Sequence, residues 1–296
     1  LHYNIPARKS QHIQASNSLD FRIFAFYNAG SEPADNTKEL SMIKLIASDL
    51  DGTILKNGAQ ELPEGFCELV RRLKEKGIQF AAASGRQYYN LRLLFAPVKD
   101  DIHYIAENGS LCVCRDQVIS KGLIERELGL RIFKAIRERG GCHCLLSCES
   151  ACYTDSTDPA FIRHIREVLR YDMKTVDRLE DVTEPFLKIA VCDFTGADNI
   201  EAYFQKMFES EIKAVTSGMI WIDFIAPNAN KGTGLAGLAA HLGIKPEECM
   251  AFGDQYNDVE MLQFAGRSYA MSDGAPGVAE YATDVTDSVE DVLRQL

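Results

Sequence analysis

Apolar runs and amphipathic segments alternate along most of the chain. Residues 43–48 form a short apolar run followed by acidic residues, which is typical of a buried parallel strand. Residues 63–76 place apolar side chains on one face, between a proline and a glycine, and this predicts a helix with Pro63 in its first turn. Residues 78–83 predict a second strand. The alternation predicts an α/β fold with a parallel sheet.

The same rhythm continues to the C-terminus. The remaining predicted strands of this sheet are 104–106, 250–253 and 268–271, and its remaining predicted helices are 234–241 and 259–264. After the third strand the pattern predicts a hairpin, with its turn near Arg115 and Asp116.

A middle stretch, residues 122–225, keeps an α/β rhythm of its own. Its predicted helices are 128–138, 159–169 and 200–208, and its predicted strands are 142–146, 187–192, 212–215 and 219–224. This stretch carries none of the chemical motifs described below. We therefore expect an inserted α/β cap domain at 122–225, and a Rossmann-like parallel sheet core formed by residues 42–121 and 226–296.

The first 41 residues differ from the rest, being polar, aperiodic and rich in turn formers. Their apolar piece, residues 21–27, is short and contains Arg22, so it makes a poor secretory signal. Residues 1–41 are predicted to be a poorly ordered extension, and Met42 is interpreted as the natural start of the protein.

Composition narrows the function classes. The 296 residues are 46% hydrophobic and 25% charged, as in an ordinary globular protein, and no apolar run approaches the ~20 residues of a membrane helix. The net charge of −11 disfavours a nucleic-acid surface, because a phosphate backbone requires a basic face. A small anionic substrate remains compatible, since it responds to local charge.

Nine cysteines show no regular framework, which suits reduced thiols and a cytoplasmic location. Four of them cluster around a histidine and suggest a zinc site as an alternative: Cys142, His143, Cys144, Cys148 and Cys152. The spacing is not that of two CxxC knuckles, and neighbouring strand residues point to opposite faces. Packing is therefore the favoured interpretation of this cluster.

Two acidic residues, Asp49 and Asp51, follow the first predicted strand. Open α/β sheets bind ligands at the carboxyl ends of their strands, and Gly52 permits a turn that lets both carboxylates face that crevice. One carboxylate can attack phosphorus while the other protonates the leaving oxygen and then activates water. The alternative is a common Asp-Gly turn, although an acidic pair followed by Gly-Thr after an apolar strand is much rarer.

Asp254 and Asp258 follow the predicted strand 250–253. Placed opposite Asp49, they would concentrate negative charge that a cation must offset, and oxygen ligands suit Mg²⁺. Such a cation would also reduce the repulsion between an anionic nucleophile and a phosphate dianion. The alternative is a turn that caps the following helix, and this alternative is strongest for Asp258.

Further polar residues could hold the phosphate. Ser84 ends the second strand before Gly85, which places a hydroxyl and backbone N–H groups near phosphate oxygens. Lys231 offers a compact positive charge, with a solvated surface lysine as the alternative. Asn257 could donate to the phosphate, and Arg86 could do the same or brace the loop through a carboxylate.

Residues 232–237 match the dinucleotide fingerprint GxGxxG. A true fingerprint follows its strand directly and has an acidic residue about twenty positions later, at the end of a second strand. Here residues 227–231 intervene, and Asp254 has a better role at the metal. Nicotinamide binding is therefore disfavoured.

In these motifs the chain resembles the haloacid dehalogenase superfamily, and within it the Cof-like hydrolases with a large inserted cap. The residues that carry the resemblance are Asp49-Leu50-Asp51-Gly52-Thr53, Ser84, Lys231 and Gly253-Asp254-Gln255-Tyr256-Asn257-Asp258, and Glu107-Asn108-Gly109-Ser110 resembles a further segment of the family. The resemblance covers everything but the first 41 residues.

The resemblance implies specific roles. Asp49 would be the nucleophile and Asp51 the acid/base, and Asp49, the backbone carbonyl of Asp51 and Asp254 would bind Mg²⁺. The residues expected to hold the phosphoryl group are Ser84, Gly85, Lys231 and Asn257. The residues expected to support the metal and the acid/base are Thr53, Arg86 and Asp258.

The sequence thus predicts a cytoplasmic Mg²⁺-dependent phosphatase of small phosphorylated metabolites, with sugar phosphates as the expected class and a monomer or weak homodimer as the assembly. The alternatives are a phosphomutase and a non-catalytic phosphate sensor. Four cap residues could line the substrate side, although ordinary packing or exposure is expected for each: His143, Tyr153, Asp155 and Trp221.

Overall fold

The computed structural model describes residues 43–208, 210–216 and 219–296. The predicted extension at 1–41 and the proposed start at Met42 lie outside the described residues. Within them, no helix combines the length and apolar character that crossing a bilayer requires.

An eight-stranded sheet forms the larger layer. Its strands are β1 (Leu45–Ser48), β2 (Gln79–Ala83), β3 (His103–Ala106), β4 (Leu111–Cys114), β5 (Gln117–Lys121), β12 (Cys249–Gly253), β13 (Arg267–Met271) and β14 (Asp284–Thr286). Their spatial order is β14-β13-β12-β1-β2-β3-β4-β5. The strands from β14 to β3 pair in parallel, and β3, β4 and β5 pair antiparallel. The predicted parallel core and the predicted hairpin are both present.

Successive side chains of β1 enter two different apolar layers. Ile46 belongs to a buried cluster with Phe66 and Phe80, whereas Leu45 belongs to a cluster with Leu235. Because neighbouring strand residues point to opposite faces, a strand covered on both sides must be apolar throughout. This explains why 43–48 is a continuous apolar run.

The helices lie between these strands and in the inserted region. They are α1 (Phe66–Glu75), α2 (Tyr88–Leu94), α3 (Arg126–Arg139), α4 (Pro159–Arg163), α5 (Asp198–Phe208), α6 (Lys231–Leu242), α7 (Val259–Phe264) and α8 (Val289–Leu293). The predicted placement of Pro63 in the first turn of α1 is wrong, because Gly65 has φ +79° and the helix begins only at Phe66. A residue in this left-handed conformation cannot belong to a right-handed helix.

A second, six-stranded sheet is built entirely from residues between β5 and α6. Its strands are β6 (His143–Ser147), β7 (Cys152–Thr154), β8 (Met173–Thr175), β9 (Lys188–Cys192), β10 (Lys213–Thr216) and β11 (Trp221–Ile225), in the order β10-β11-β9-β6-β7-β8. All its pairs are antiparallel except β7 with β8. The predicted fold class, a parallel sheet core with an inserted α/β cap, is confirmed. We call the region of this second sheet the cap; its boundaries at 122 and 225 stay a prediction.

Candidate active site

A cavity of about 1010 Å³ lies between the two sheets and is lined by both. Asp49 and Ser84 line it from the ends of β1 and β2, and Lys188 and Trp221 line it from the cap strands β9 and β11. The carboxyl ends of the parallel strands therefore open into this space, where ligands of such sheets bind.

A buried lysine joins two of the predicted carboxylates. Lys231 is the first residue of α6 and is only 1% exposed, and its Nζ donates to Asp49 Oδ1 at 2.5 Å and to Asp258 Oδ1 at 2.6 Å. Burial by itself would lower the pKa of Lys231, but Asp258 and Asp49 raise it above its ordinary value. The ammonium is therefore charged and fixed beside Asp49. A solvated surface lysine, the alternative considered for Lys231, does not fit this position.

Asp254 lies close to Asp49 and Asp258. Its Oδ1 accepts a hydrogen bond from Thr53 Oγ1 at 2.8 Å. Gly52 has φ +97°, and a Cβ there would come within 2.3 Å of Asp254 Oδ2. The turn after β1 thus requires glycine both for its backbone conformation and for the close approach of Asp254.

Three carboxylates are close enough to share one cation. Oxygens of Asp49, Asp254 and Asp258 all lie within 4.8 Å of one another. Burial raises the pKa of Asp49 well above its ordinary value, the neighbouring carboxylates raise it further, and Lys231 opposes them. One lysine does not balance three carboxylates, so this oxygen-rich group fits a divalent metal ion.

Asp258 is held more completely than the other two carboxylates. Its Oδ2 accepts from the backbone N–H groups of Asp254 and Gln255, each at 3.0 Å, while its Oδ1 accepts from Lys231. With three donors on its oxygens, Asp258 is placed to orient Lys231 and the turn after β12. This geometry is compatible with the supporting role expected for it.

The side chain of Asp51 forms an ion pair with Arg86. Its two oxygens accept from Arg86 Nη2 at 2.6 Å and Arg86 Nε at 2.8 Å. Burial would lower the pKa of Arg86, but Asp51 raises it, so the guanidinium stays charged. Of the two roles considered for Arg86, bracing through a carboxylate is the one that the contacts display. The backbone carbonyl of Asp51, and not its side chain, is the group expected to bind the metal. The contact with Arg86 therefore does not test that expectation.

Ser84 lies at the end of β2 in a loop with Gly85 and Arg86. Its Oγ accepts a hydrogen bond from the Arg86 N–H at 3.1 Å, and its own N–H donates to Ile105 O at 2.9 Å. Ser84, Gly85 and Arg86 all line the cavity.

Two residues near the site, Asn108 and Lys188, have no role predicted from the sequence. Asn257 Nδ2 donates to Asn108 Oδ1 at 3.0 Å, so the amide expected to hold phosphate is also tied to the segment after β3. Asn108 has φ +55°, and the backbone of Glu107 beside it is also left-handed. Non-glycine residues seldom adopt this conformation, and φ cannot be read from sequence, which is why the contact between Asn108 and Asn257 was not predicted.

The cysteine cluster packs in apolar layers. Cys144 and Cys148 belong to one buried cluster and Cys152 to another, and all three are at most 4% exposed. His143 stacks on Phe161 with ring centroids 4.7 Å apart. These positions match the packing interpretation.

Of the four cap residues considered, Trp221 lines the cavity. Tyr153 hydrogen-bonds Glu184, and Asp155 lies 4.0 Å from Arg137. The GxGxxG segment belongs to α6, where a Cβ on Gly234 would come within 2.5 Å of Ile105 Cγ2. That glycine allows close packing of the helix on the sheet.

Comparison with known proteins agrees with this geometry. Residues 46–294 match the family of haloacid dehalogenase-like hydrolases. The chain is 29% identical over 244 residues to the Escherichia coli 5-amino-6-(5-phospho-D-ribitylamino)uracil phosphatase YbjI, covering 81% of this chain and 89% of the relative. It is 28% identical over 251 residues to the HMP-PP phosphatase of Cronobacter sakazakii, covering 79% and 86%.

Two solved structures are similar in fold. A protein from Eubacterium rectale superposes with a TM-score of 0.77 at 28% identity, covering 86% of this chain and 99% of that one. The subclass IIB sugar phosphatase BT4131 superposes with a TM-score of 0.73 at 23% identity, covering 85% and 98%. Since the family match spans both sheets and every residue of the site just described, this chain belongs to the haloacid dehalogenase-like hydrolases.

Proposed function

We propose that the protein is a Mg²⁺-dependent phosphatase that hydrolyses small phosphomonoesters through an aspartyl-phosphate on Asp49. The observation that supports this most is the buried carboxylate of Asp49, which lines the cavity, contacts Lys231 at 2.5 Å and lies close to Asp254. The named phosphatases among its relatives support the same reaction class.

The first half of the reaction transfers the phosphoryl group. A carboxylate oxygen of Asp49 attacks phosphorus, the bond to the leaving oxygen breaks, and Asp51 donates a proton to that oxygen. In the second half, Asp51 takes a proton from water, which attacks phosphorus and releases Asp49 and inorganic phosphate. Arg86 holds Asp51 by two hydrogen bonds and so limits its orientations.

Charge neutralisation is divided among several groups. Lys231 offsets the charge of Asp49 and of the transferring phosphoryl oxygens, and Ser84 donates to one of those oxygens. Mg²⁺ held by Asp49, Asp254 and the backbone carbonyl of Asp51 would supply positive charge that stabilises the transferring phosphoryl group.

The relatives and the cavity support a proposal for the substrate class. One relative is named for a phosphorylated ribitylaminouracil, another for HMP-PP, and a structural neighbour is a sugar phosphatase. We propose sugar phosphates or similarly small phosphorylated metabolites, for which a cavity of about 1010 Å³ leaves room beside the phosphoryl site.

A phosphate-release screen over phosphorylated metabolites with Mg²⁺ tests this function. Asp49→Asn should lower turnover at least about a thousandfold, because an amide is a poor nucleophile. Asp273→Asn is the matched control, since Asp273 follows β13 at the same edge but is exposed and pairs with Lys56 at 2.6 Å. Isomerisation of a sugar phosphate without phosphate release would favour a mutase, and no turnover by the wild type would favour a sensor; either would contradict the proposal.

We also propose a cytoplasmic location and a monomer or weak homodimer. Nine unpaired cysteines, seven of them buried, support a reducing compartment. Sedimentation at several concentrations would test the assembly, and a tight oligomer at low concentration would contradict it.

A further inference from the structure

Residues 84–86, which we call the phosphate loop because the proposed function gives them the phosphoryl group to bind, have three consecutive carbonyl groups that accept hydrogen bonds. The Asn108 N–H donates to Ser84 O at 3.0 Å, and the Glu107 N–H donates to Arg86 O at 3.1 Å. The middle carbonyl, that of Gly85, accepts from Lys188 Nζ at 2.6 Å. The core backbone therefore fixes both ends of the loop, and a lysine of cap strand β9 holds its centre.

Lys188 is itself fixed by two buried carboxylates. Its side chain is 6% exposed, and Nζ lies 2.7 Å from Glu107 Oε2 and 3.3 Å from Asp223 Oδ2. Burial would lower the pKa of Lys188, but Asp223 and Glu107 raise it, so the ammonium stays charged. A buried cation with two anionic partners has little freedom to move, because leaving either one unpaired is costly.

The contact at Gly85 reaches Ser84 through one peptide unit. The C=O of Gly85 and the N–H of Arg86 belong to the same planar group and point in opposite directions. The C=O faces Lys188, and the N–H donates to Ser84 Oγ at 3.1 Å. The ammonium of Lys188 on the Gly85 carbonyl fixes the orientation of this peptide plane. It also polarises the peptide, which makes the Arg86 N–H a stronger donor.

This arrangement determines how Ser84 can act. A hydroxyl has one proton to donate and two lone pairs to accept with. The Arg86 N–H binds one lone pair of Ser84 Oγ on the side of the loop. The O–H proton of Ser84 is therefore directed toward a different acceptor. Because Ser84 lines the cavity, a phosphate oxygen there is such an acceptor.

We propose that Lys188 is a positioning residue for phosphoryl transfer, which fixes the Gly85–Arg86 peptide and thereby aims the hydroxyl of Ser84 at the phosphoryl group. The inference rests on the proposed function. With this role for Lys188, the cap becomes part of the phosphate site, because a cap residue 103 positions from Gly85 sets the geometry of the loop. Lys188 itself does not need to touch the substrate.

A double-mutant cycle tests this proposal. The four proteins are the wild type, Lys188→Met, Ser84→Ala and the double variant, and turnover of p-nitrophenyl phosphate is measured with Mg²⁺. Lys188→Met alone should lower kcat/KM about tenfold, as expected when one transition-state donor loses its aim. In the Ser84→Ala background the same substitution should change it less than about twofold, because the hydroxyl that Lys188 positions is already gone.

Two controls separate positioning from general damage. Lys174→Met removes a cap lysine that lies over the Tyr153 ring and outside the cavity lining, and should leave turnover unchanged. Lys188→Met leaves the buried carboxylate of Glu107 without its cation, which could lower the melting temperature sharply. In that case the cycle is repeated with Glu107→Gln in all four proteins, so that this buried negative charge is removed.

The outcomes are distinguishable. The role of Lys188 would be overturned if the double variant lost kcat/KM by the product of the two single losses. It would also be overturned if the Lys188→Met enzyme kept the wild-type kcat/KM. Either result would leave the phosphatase function intact. A wild-type protein with no turnover of any phosphomonoester would overturn the proposed function and this inference together.

Discussion

At the scale of single residues, the site depends on a few short contacts that tolerate little change. The closeness of Asp49 and Asp254 could be predicted from sequence, because both follow strands that end at one edge of the sheet. Lys231 begins a helix, so only its resemblance to the family motif suggested that it lies there. The engagement of Asp51 by Arg86 could only be considered as one option, since a side chain's rotamer depends on its neighbours in space. Asn108 was missed for the same reason.

Gly52→Ala tests the close approach of Asp254. The new Cβ would meet Asp254 Oδ2 at 2.3 Å, so the carboxylate must move and the affinity for Mg²⁺ should fall at least about tenfold. Gly58→Ala is the matched control, because Gly58 also has positive φ but has nothing within 4 Å of its Cβ position. Both variants should lose about 1 kcal/mol of stability from backbone strain. Equal Mg²⁺ affinity in the two variants, measured by calorimetry, would contradict this account.

At the scale of elements, buried strands and amphipathic helices were predicted well, and short or glycine-rich elements were not. The strands β7, β8 and β14 have three residues each, too few to show a period, and they exist because a neighbour pairs with them. Helix α6 begins at Lys231, three residues before the prediction, because Asn230 caps it while its glycines weaken the helical signal.

His103, the first residue of β3, should make folding sensitive to acid. Burial, with smaller effects of Arg115 and His241, lowers its pKa from the ordinary 6.5 to about 4. Between these values the unfolded chain binds a proton that the folded protein does not, so the free energy of unfolding falls as the pH falls. His103 alone should lower the free energy of unfolding by about 2 kcal/mol between pH 7 and pH 5.

Urea denaturation of the wild type and of His103→Gln at the two pH values checks this. Glutamine can still donate to Gln79, which His103 contacts at 2.8 Å, but it does not titrate. From pH 7 to pH 5, the free energy of unfolding of the wild type should fall by about 2 kcal/mol more than that of the variant. The same loss in both proteins would show that His103 is not the group responsible.

At the scale of the whole molecule, the cap and the core sheet are linked by buried charges. The alternating pattern predicted both layers, but the contact between Lys188 and Gly85 joins residues 103 positions apart and has no signal in sequence. Buried polar contacts of this kind are satisfied only in the folded structure, which is why the sequence suggested a cap without its connection to the phosphate loop.

Metal binding should stabilise the whole fold. Three carboxylates within 4.8 Å repel one another, and a cation that binds only the folded protein adds about 2.7 kcal/mol at a concentration one hundred times its Kd. For a chain of this size we expect Mg²⁺ to raise Tm by roughly 5 °C or more over protein in EDTA. Asp254→Asn should abolish most of this increase, whereas an undiminished increase in that variant would place the metal elsewhere.

The proposed reaction requires Asp49 to become phosphorylated during turnover. The most direct measurement is acid quenching of the enzyme during steady-state hydrolysis with Mg²⁺, followed by peptide mass spectrometry. We predict one phosphoryl group on the peptide that contains Asp49, assigned to that side chain and absent from Asp49→Asn. A phosphoryl group on a different residue, or rapid turnover by Asp49→Asn, would contradict the account.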